Sequence, residues 1–70
     1  MTSAPPLHVV PHRLGSWHLR REGDERPLSE HGSETEAEQA ARRLADRAGH
    51  RQIVIHDRYG RVRRAAVRRQ

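Results

Sequence analysis

Three histidines surround the single tryptophan in the stretch HVVPHRLGSWHLRREG, on either side of a Gly-Ser pair. Imidazoles can ligate zinc or nickel, accept protons near neutral pH, or line a surface that binds nucleic acid. Which of these roles is open depends on whether His8, His12 and His18 reach one side of one element. Further along, His56 stands beside Asp57, a pair that could act as a base with an orienting carboxylate.

The spacing within the first strand argues against a metal site there. His8 and His12 stand four residues apart, which is about 13 Å along an extended strand and too far to share an ion. A site would need histidines from neighbouring strands, and the sequence places no obvious carboxylate beside them. We therefore expect no metal and no cofactor.

The signals for catalysis are equally weak. The chain has no cysteine, and its serines stand in no arrangement typical of a nucleophile. The five glycines fall at turns rather than at the spacing of a phosphate-binding loop. A strand that ends and enters a turn explains the neighbouring His56 and Asp57 as well as a catalytic base does. The sequence predicts that the protein is not an enzyme.

Short extended segments and one helix must position these histidines. The segments LHVVPH and WHLRRE, joined by a turn at RLGS, are typical of a hairpin. The polar stretch GDERPLSEHG has room for one irregular strand near residues 26–29. After the helix, RQIVIHD indicates a buried strand, RYG a turn, and RVRRAA a last strand or a frayed helix.

The helix has the strongest signal of these elements. Ser33 is a favourable N-cap, and Glu36, three residues later, completes a capping box. Gly49 is expected to end the helix. Apolar residues between them recur at helical spacing and form one narrow stripe: Ala37, Ala40, Ala41, Leu44, Ala45 and Ala48. Small side chains on such a stripe let a helix lie close against a sheet.

Alternation along the strands sorts their side chains onto two faces. The face that the helix should cover carries the bulkiest apolar residues: Leu7, Val9, Trp17, Leu19, Ile53, Ile55 and Val62. The opposite face, called here the open sheet face, should carry the alternate positions: His8, Val10, His12, His18, Arg20, Val54, His56, Arg61 and Arg63. Four of the six histidines thus fall on one uncovered, half-apolar surface.

An interface explains this surface better than the other interpretations do. Sheets that bind RNA stack bases mainly on aromatic side chains, and the chain has only Trp17, expected in the core, and Tyr59. Seventy residues with 33% apolar content and no cysteine make a thin core, which self-association commonly supports. We therefore expect a homodimer, with a different protein partner as the alternative. The candidate interface residues are His8, Val10, His12, His18, Arg20, Val54 and His56.

The formal net charge of +5 lies entirely in the last ten residues. RVRRAAVRRQ holds five arginines and no acid, whereas residues 1–60 hold nine arginines and nine acidic residues. Such a cluster can neutralise phosphates with little sequence preference. The candidate contacts for nucleic acid or another polyanion are Arg58, Arg61, Arg63, Arg64, Arg68 and Arg69. An anionic membrane surface is a weaker candidate because the tail has no apolar anchor.

The order of these motifs resembles a known family. HVVPH, then WHLRREG, an alanine-rich helix opened by a capping serine, and IVIHDRYGRVR look like the small bacterial family catalogued as domain of unknown function 2188. The resemblance covers about residues 7–64. Two features depart from it, since Glu38 stands where the helix usually carries an aliphatic residue, and the arginine tail is unusually rich. The resemblance implies a small ββ(β)αββ domain and no assigned activity.

The sequence therefore predicts a small α+β domain, with one helix on one face of an antiparallel-type sheet of four or five short strands. We expect a flexible lead-in over residues 1–6, the domain over 7–64, and a basic tail over 65–70. The predicted function is that of a self-associating binding module whose arginine-rich end contacts nucleic acid or another polyanion. The alternative is a structural or adaptor domain that docks a protein through the open sheet face. No membrane span and no signal peptide are evident, so we expect a cytoplasmic protein.

Overall fold

The fold is a five-stranded sheet with one helix packed on it. The computed structural model of the protein describes residues 4–67. A 3-10 turn at Arg13–Gly15 joins the first two strands. The elements follow in the order β1 (Leu7–Pro11), β2 (Trp17–Arg21), β3 (Pro27–His31), α1 (Glu34–Ala48), β4 (Gln52–His56) and β5 (Val62–Ala66). The predicted α+β class and the ββ(β)αββ order are confirmed.

The sheet is mixed, which corrects the expected antiparallel-type sheet. Its strand order is β3-β2-β1-β4-β5. β1 and β4 are parallel, while the other neighbouring pairs are antiparallel. A parallel pair requires a long crossover, and here the chain from β2 through α1 provides it. β1 therefore lies at the centre of the sheet, with β3 and β5 at its edges.

The helix begins and ends where the sequence predicts. Ser33 Oγ accepts a hydrogen bond from the backbone N–H of Glu36 at 3.1 Å, and Gly49 takes a left-handed conformation with φ 82°. Three residues of the predicted stripe, spaced four apart along the chain, are fully buried, namely Ala37, Ala41 and Ala45. These small side chains bring α1 against the covered face of the sheet, where the core residues are Leu7, Val9, Trp17, Leu19, Ile53 and Ile55.

The last strand differs from its prediction by one position. Val62 is the register partner of His56, and Arg63 is the partner of Ile55. Because directly opposite residues of an antiparallel pair share a face, Val62 lies on the open sheet face and Arg63 on the covered face. The prediction had the two faces exchanged for this strand. The loop between β4 and β5 sets the register, and its geometry cannot be read from the alternation within β5.

Both ends of the domain are tied to the helix–β4 connection. Ala4 forms a parallel bridge with His50, and the Pro5 carbonyl accepts a hydrogen bond from His50 Nδ1 at 2.7 Å. At the other end, the Val67 N–H donates to the Arg51 carbonyl at 2.9 Å. The predicted boundaries at residues 6 and 64 stay predictions, although β5 itself runs to Ala66.

Candidate functional site

The open sheet face brings together the predicted histidines from three strands and from the turn that follows β1. β1 and β2 place His8 opposite Arg20 and Val10 opposite His18. The parallel pairing of β1 with β4 sets His8 opposite Val54, and alternation then puts His56 on the same face. Glu30 on β3 is the partner of His18. Within residues 4–67, no helix or strand covers this face, and the histidines on it form two separate clusters.

The first cluster is a hydrogen-bonded chain of three side chains. His8 Nδ1 lies 3.0 Å from His56 Nε2, and His8 Nε2 lies 3.3 Å from Glu22 Oε1. Because a carboxylate only accepts, His8 donates from Nε2 to Glu22, which leaves its Nδ1 as the acceptor for the Nε2–H of His56. This order requires a proton on Nε2 of each ring and an unprotonated Nδ1 on His8.

The surroundings of His56 favour its neutral form. Burial lowers the pKa of His56 below its ordinary value, and the neighbouring His8 and Arg20 lower the pKa further. Acid therefore opposes this cluster, because a charge on His56 would be desolvated and would lie near Arg20.

The second cluster lies at the end of the β1–β2 hairpin. The rings of His12 and His18 stack with their centroids 4.0 Å apart and their planes at 20°. His18 Nε2 lies 3.5 Å from Glu30 Oε2. Ligand atoms from these three residues all lie within 4.8 Å of one another. The two sequence arguments against a metal site therefore do not apply here, because the histidines come from different strands and Glu30 stands beside them.

The valines of the open sheet face differ in how accessible they are. Val54 is 3% exposed, although no helix covers it, whereas Val62 is 55% exposed. Val10 is half-buried at the centre of the sheet. Val54, a predicted interface residue, is therefore already enclosed by its own chain, whereas Val10 and Val62 are apolar side chains on this face that a partner could reach.

The predicted polyanion contacts divide into engaged and exposed arginines. Arg58 donates to the carbonyls of His12 and Ser16, both at 3.0 Å, and its guanidinium lies 5.0 Å from the Trp17 ring centroid. Arg61 pairs with Asp57 at 2.9 Å. Arg58 thus links the β4–β5 loop to the end of the β1–β2 hairpin. This structural role accounts for Arg58 without a bound ligand.

The other arginines of this set have different surroundings. Arg63 reaches α1, where its Nη2 lies 3.0 Å from Glu38 Oε1. Arg64 is exposed on the open sheet face and makes no hydrogen bond or ion pair within the part of the chain that the structure describes. Arg68 and Arg69 lie outside the described residues. Of the four described arginines in the predicted set, Arg64 alone presents its charge without a partner in residues 4–67.

Glu38, the unusual helix residue, belongs to an ion-pair cluster with Arg42 and Arg63. Burial by itself would raise the pKa of Glu38, but the hydrogen bonds and charges of the two arginines outweigh it and lower that pKa. The charged Glu38 is thus accommodated by a charged partner on β5. Sequence reasoning missed this contact because it placed Arg63 on the other face.

The side chains of His56 and Asp57, neighbours in the sequence, bond to different partners. Asp57 Oδ1 accepts from the backbone N–H groups of Tyr59 and Arg61, and Oδ2 accepts from Arg61 Nε. The backbone hydrogen bond from Arg61 is the main cause of the lowered pKa of Asp57. The carboxylate organises the turn, while His56 points to His8.

The fold and these clusters can now be set beside known proteins. Residues 7–65 match the model of the family described as "Uncharacterized protein conserved in bacteria (DUF2188)". The chain belongs to this family, as its motifs indicated. No curated protein and no solved structure matches the chain. Within residues 4–67, no helix has both the length and the apolar character that a membrane crossing requires.

Proposed function

We propose that the protein is a non-enzymatic binding module that pairs with a second copy of itself through the open sheet face. The observation that carries this proposal is the unequal covering of the sheet, since α1 packs on one face and Val10 and Val62 stand among histidines on the other. A pairing of two open faces would bury both valines. The cytoplasmic location expected from the sequence stays a prediction.

The size of the core supports self-association. Among the residues whose burial the structure describes, ten apolar residues are buried, and three of them are alanines. A domain of this length buries a smaller fraction of its surface than a larger domain does, and small domains commonly add a disulfide, a metal or an oligomeric contact. The sequence offers no cysteine, so an added apolar contact is the simplest supplement to the core.

The charges on the open sheet face also suit a second copy. Glu22 and Glu30 stand on the same surface as Arg20 and Arg64. A two-fold interface presents the same patch from both partners, so a patch that carries both signs can complement itself. A partner surface of one strong charge sign would be repelled by the side chains of the same sign on this face.

Val62→Asp tests the proposal with little risk to the fold, because that side chain is already half exposed. Sedimentation equilibrium should show a dimer for the parent chain and a dissociation constant at least tenfold weaker for the variant, because the carboxylate would be desolvated in the pair. Thr35→Asp adds the same charge at an exposed position of α1 and is the matched control. A parent chain that stays monomeric, or equal weakening by both variants, contradicts the proposal.

A polyanion is the second candidate partner, supported by the +5 charge of the last ten residues. Arg58, Arg61 and Arg63 already make intramolecular contacts, so among the described arginines of the predicted set Arg64 is the candidate contact. Weak, salt-sensitive retention of duplex DNA that is independent of base sequence would support this candidate.

A further inference from the structure

Three side chains of ligand type meet at one end of the open sheet face. His12 follows β1, His18 lies on β2 and Glu30 lies on β3, so two paired strands and the turn after a third contribute one residue each. We propose that His12, His18 and Glu30 bind one divalent transition-metal ion, of which Zn²⁺ is the best fit. This site goes beyond the proposed pairing, because all three ligands come from one chain.

The distances are close to what zinc requires. Zinc–ligand bonds of about 2.0–2.2 Å in a tetrahedron set neighbouring ligand atoms about 3.3 Å apart. His18 Nε2 and Glu30 Oε2 already lie 3.5 Å apart, and the widest separation within the three-residue set is no more than 4.8 Å. A small closure of side chains, with no change of strand register, would complete the set.

His12 is the ligand that must move. Lone pairs of imidazole nitrogens lie in the ring plane, so two rings stacked at 20° do not aim at one point. His12 is exposed, and rotation of its side chain away from the stack is unhindered by the core. An ion would exchange the ring stack for two metal–nitrogen bonds.

The backbone under the three ligands is held in place, which favours a defined site over a loose one. The His12 N–H donates to the Ser16 carbonyl at 2.8 Å and closes the hairpin end. Arg58 binds the carbonyls of the same two residues. His18 and Glu30 are directly paired in the β2–β3 ladder.

The chemistry of the set selects the class of ion. Imidazole suits zinc, copper and nickel, whereas sites for calcium and magnesium are built from oxygen ligands. Two imidazoles and one carboxylate leave a fourth tetrahedral position open to solvent or another ligand. The other cluster offers no such set, because His8 uses one nitrogen toward His56 and the other toward Glu22.

Calorimetric titration of the tag-free protein with Zn²⁺ at about pH 7.5, where imidazoles are mostly neutral, tests the site. We expect one ion per chain, with binding weakened at least tenfold by His12→Gln and by Glu30→Gln. Both residues are exposed, so these variants should fold. His8→Gln is the matched control, since it removes an open-face histidine outside the set and should bind as the parent does.

Three results would overturn the site. One is a dissociation constant weaker than about 1 mM, and another is equal weakening by His8→Gln and His12→Gln. The third concerns the pairing, since the same titration on Val62→Asp should give unchanged affinity whether or not the parent chain dimerises. Loss of binding in that variant alone would place the ion between two copies and contradict a single-chain site.

Discussion

The two faces of this sheet bury their apolar side chains in different ways. On the covered face, alanines of α1 let the helix approach, large apolar side chains fill the space, and Arg63 and Glu38 pair at the margin. On the open sheet face, histidines stack on and hydrogen-bond to one another, and Val54, the register neighbour of His8, is buried. The covered face is stabilised mainly by packing, whereas the open sheet face also depends on the protonation state of His56.

Val54→Asp should have the largest effect, because it puts a charge under the open sheet face. The side chain is 3% exposed, and an unpaired buried carboxylate belongs to the changes that cost more than about 4 kcal/mol. We expect circular dichroism to show an unfolded chain at any concentration. Val62→Asp, on the same face but 55% exposed, should stay folded.

These two variants decide whether the open sheet face contributes to the core. A folded, monomeric Val54→Asp protein would mean that Val54 is accessible and that the face serves only as an interface. Loss of folding would show that part of the core lies on the side that α1 does not cover. The two faces would then be alike in contributing buried apolar side chains to the core, and they would differ in the histidine clusters of the open sheet face.

Acidification should act on the open sheet face next. The pKa of His56 is lowered by burial and by neighbouring positive charge, from an ordinary value of 6.5. Below that value the unfolded chain binds more protons than the folded chain, so the free energy of unfolding falls as the pH falls. Above it, this contribution is fully present. Urea midpoints measured from pH 8 to pH 5 should show the decline.

The variant His56→Gln should flatten this pH profile, while His31→Gln should not, because His31 lies on the covered side and bonds Ser29. A dimer held by the open sheet face should dissociate over the same range. A profile that is unchanged by His56→Gln would assign the acid sensitivity to groups other than His56.

Sequence patterns predicted those parts of the fold that depend on local chemistry. Ser33 and Gly49 mark the ends of α1 because capping acts within a few residues, and alternation places His8 and His56 correctly because both strands carry buried partners. The same rule failed for Val62 and Arg63, where the alternation is weak and a loop sets the register. Local patterns also cannot show which strands become neighbours.

Strand adjacency is what created the candidate site. Glu30 lies in a polar stretch with a weak strand signal, and its place beside His18 follows only from the β2–β3 pairing. The stacking of His12 on His18 likewise needs the geometry of the turn between them. The distances between residues on paired strands, rather than the spacing along one strand, could have predicted this cluster.

A smaller effect is expected at the margin of the covered face. Glu38→Gln removes one charge from the cluster with Arg42 and Arg63 and should lower the free energy of unfolding by about 0.2–1 kcal/mol at neutral pH. The pKa of Glu38 is lowered, so the carboxylate stabilises the fold above its ordinary pKa and loses this effect as the pH falls through the lowered value. Urea unfolding at two pH values measures both.

The control for this change is Glu25→Gln, an exposed carboxylate that makes no ion pair within residues 4–67. It should alter stability by less than Glu38→Gln does, and high salt should reduce the difference because exposed pairs are screened. Equal effects of the two variants would show that the charge cluster is not what accommodates Glu38, and that the covered face is stabilised by its apolar contacts alone.

The smallest effect is expected at the β5 edge, where the open sheet face meets the basic end of the chain. Each phosphate contact contributes about 0.9 to the logarithmic salt slope for duplex DNA, so contacts by Arg64, Arg68 and Arg69 would set a slope near −3, and Arg64→Ala should reduce it by about one. Arg58→Ala should leave the slope unchanged and lower stability instead, because Arg58 binds the carbonyls of His12 and Ser16. Fluorescence anisotropy of a labelled duplex over a salt series measures the slope.

If Arg58→Ala reduced the slope and left stability intact, the intramolecular contacts of Arg58 would not exclude it from ligand binding, and the engaged arginines would have to be counted with the exposed ones.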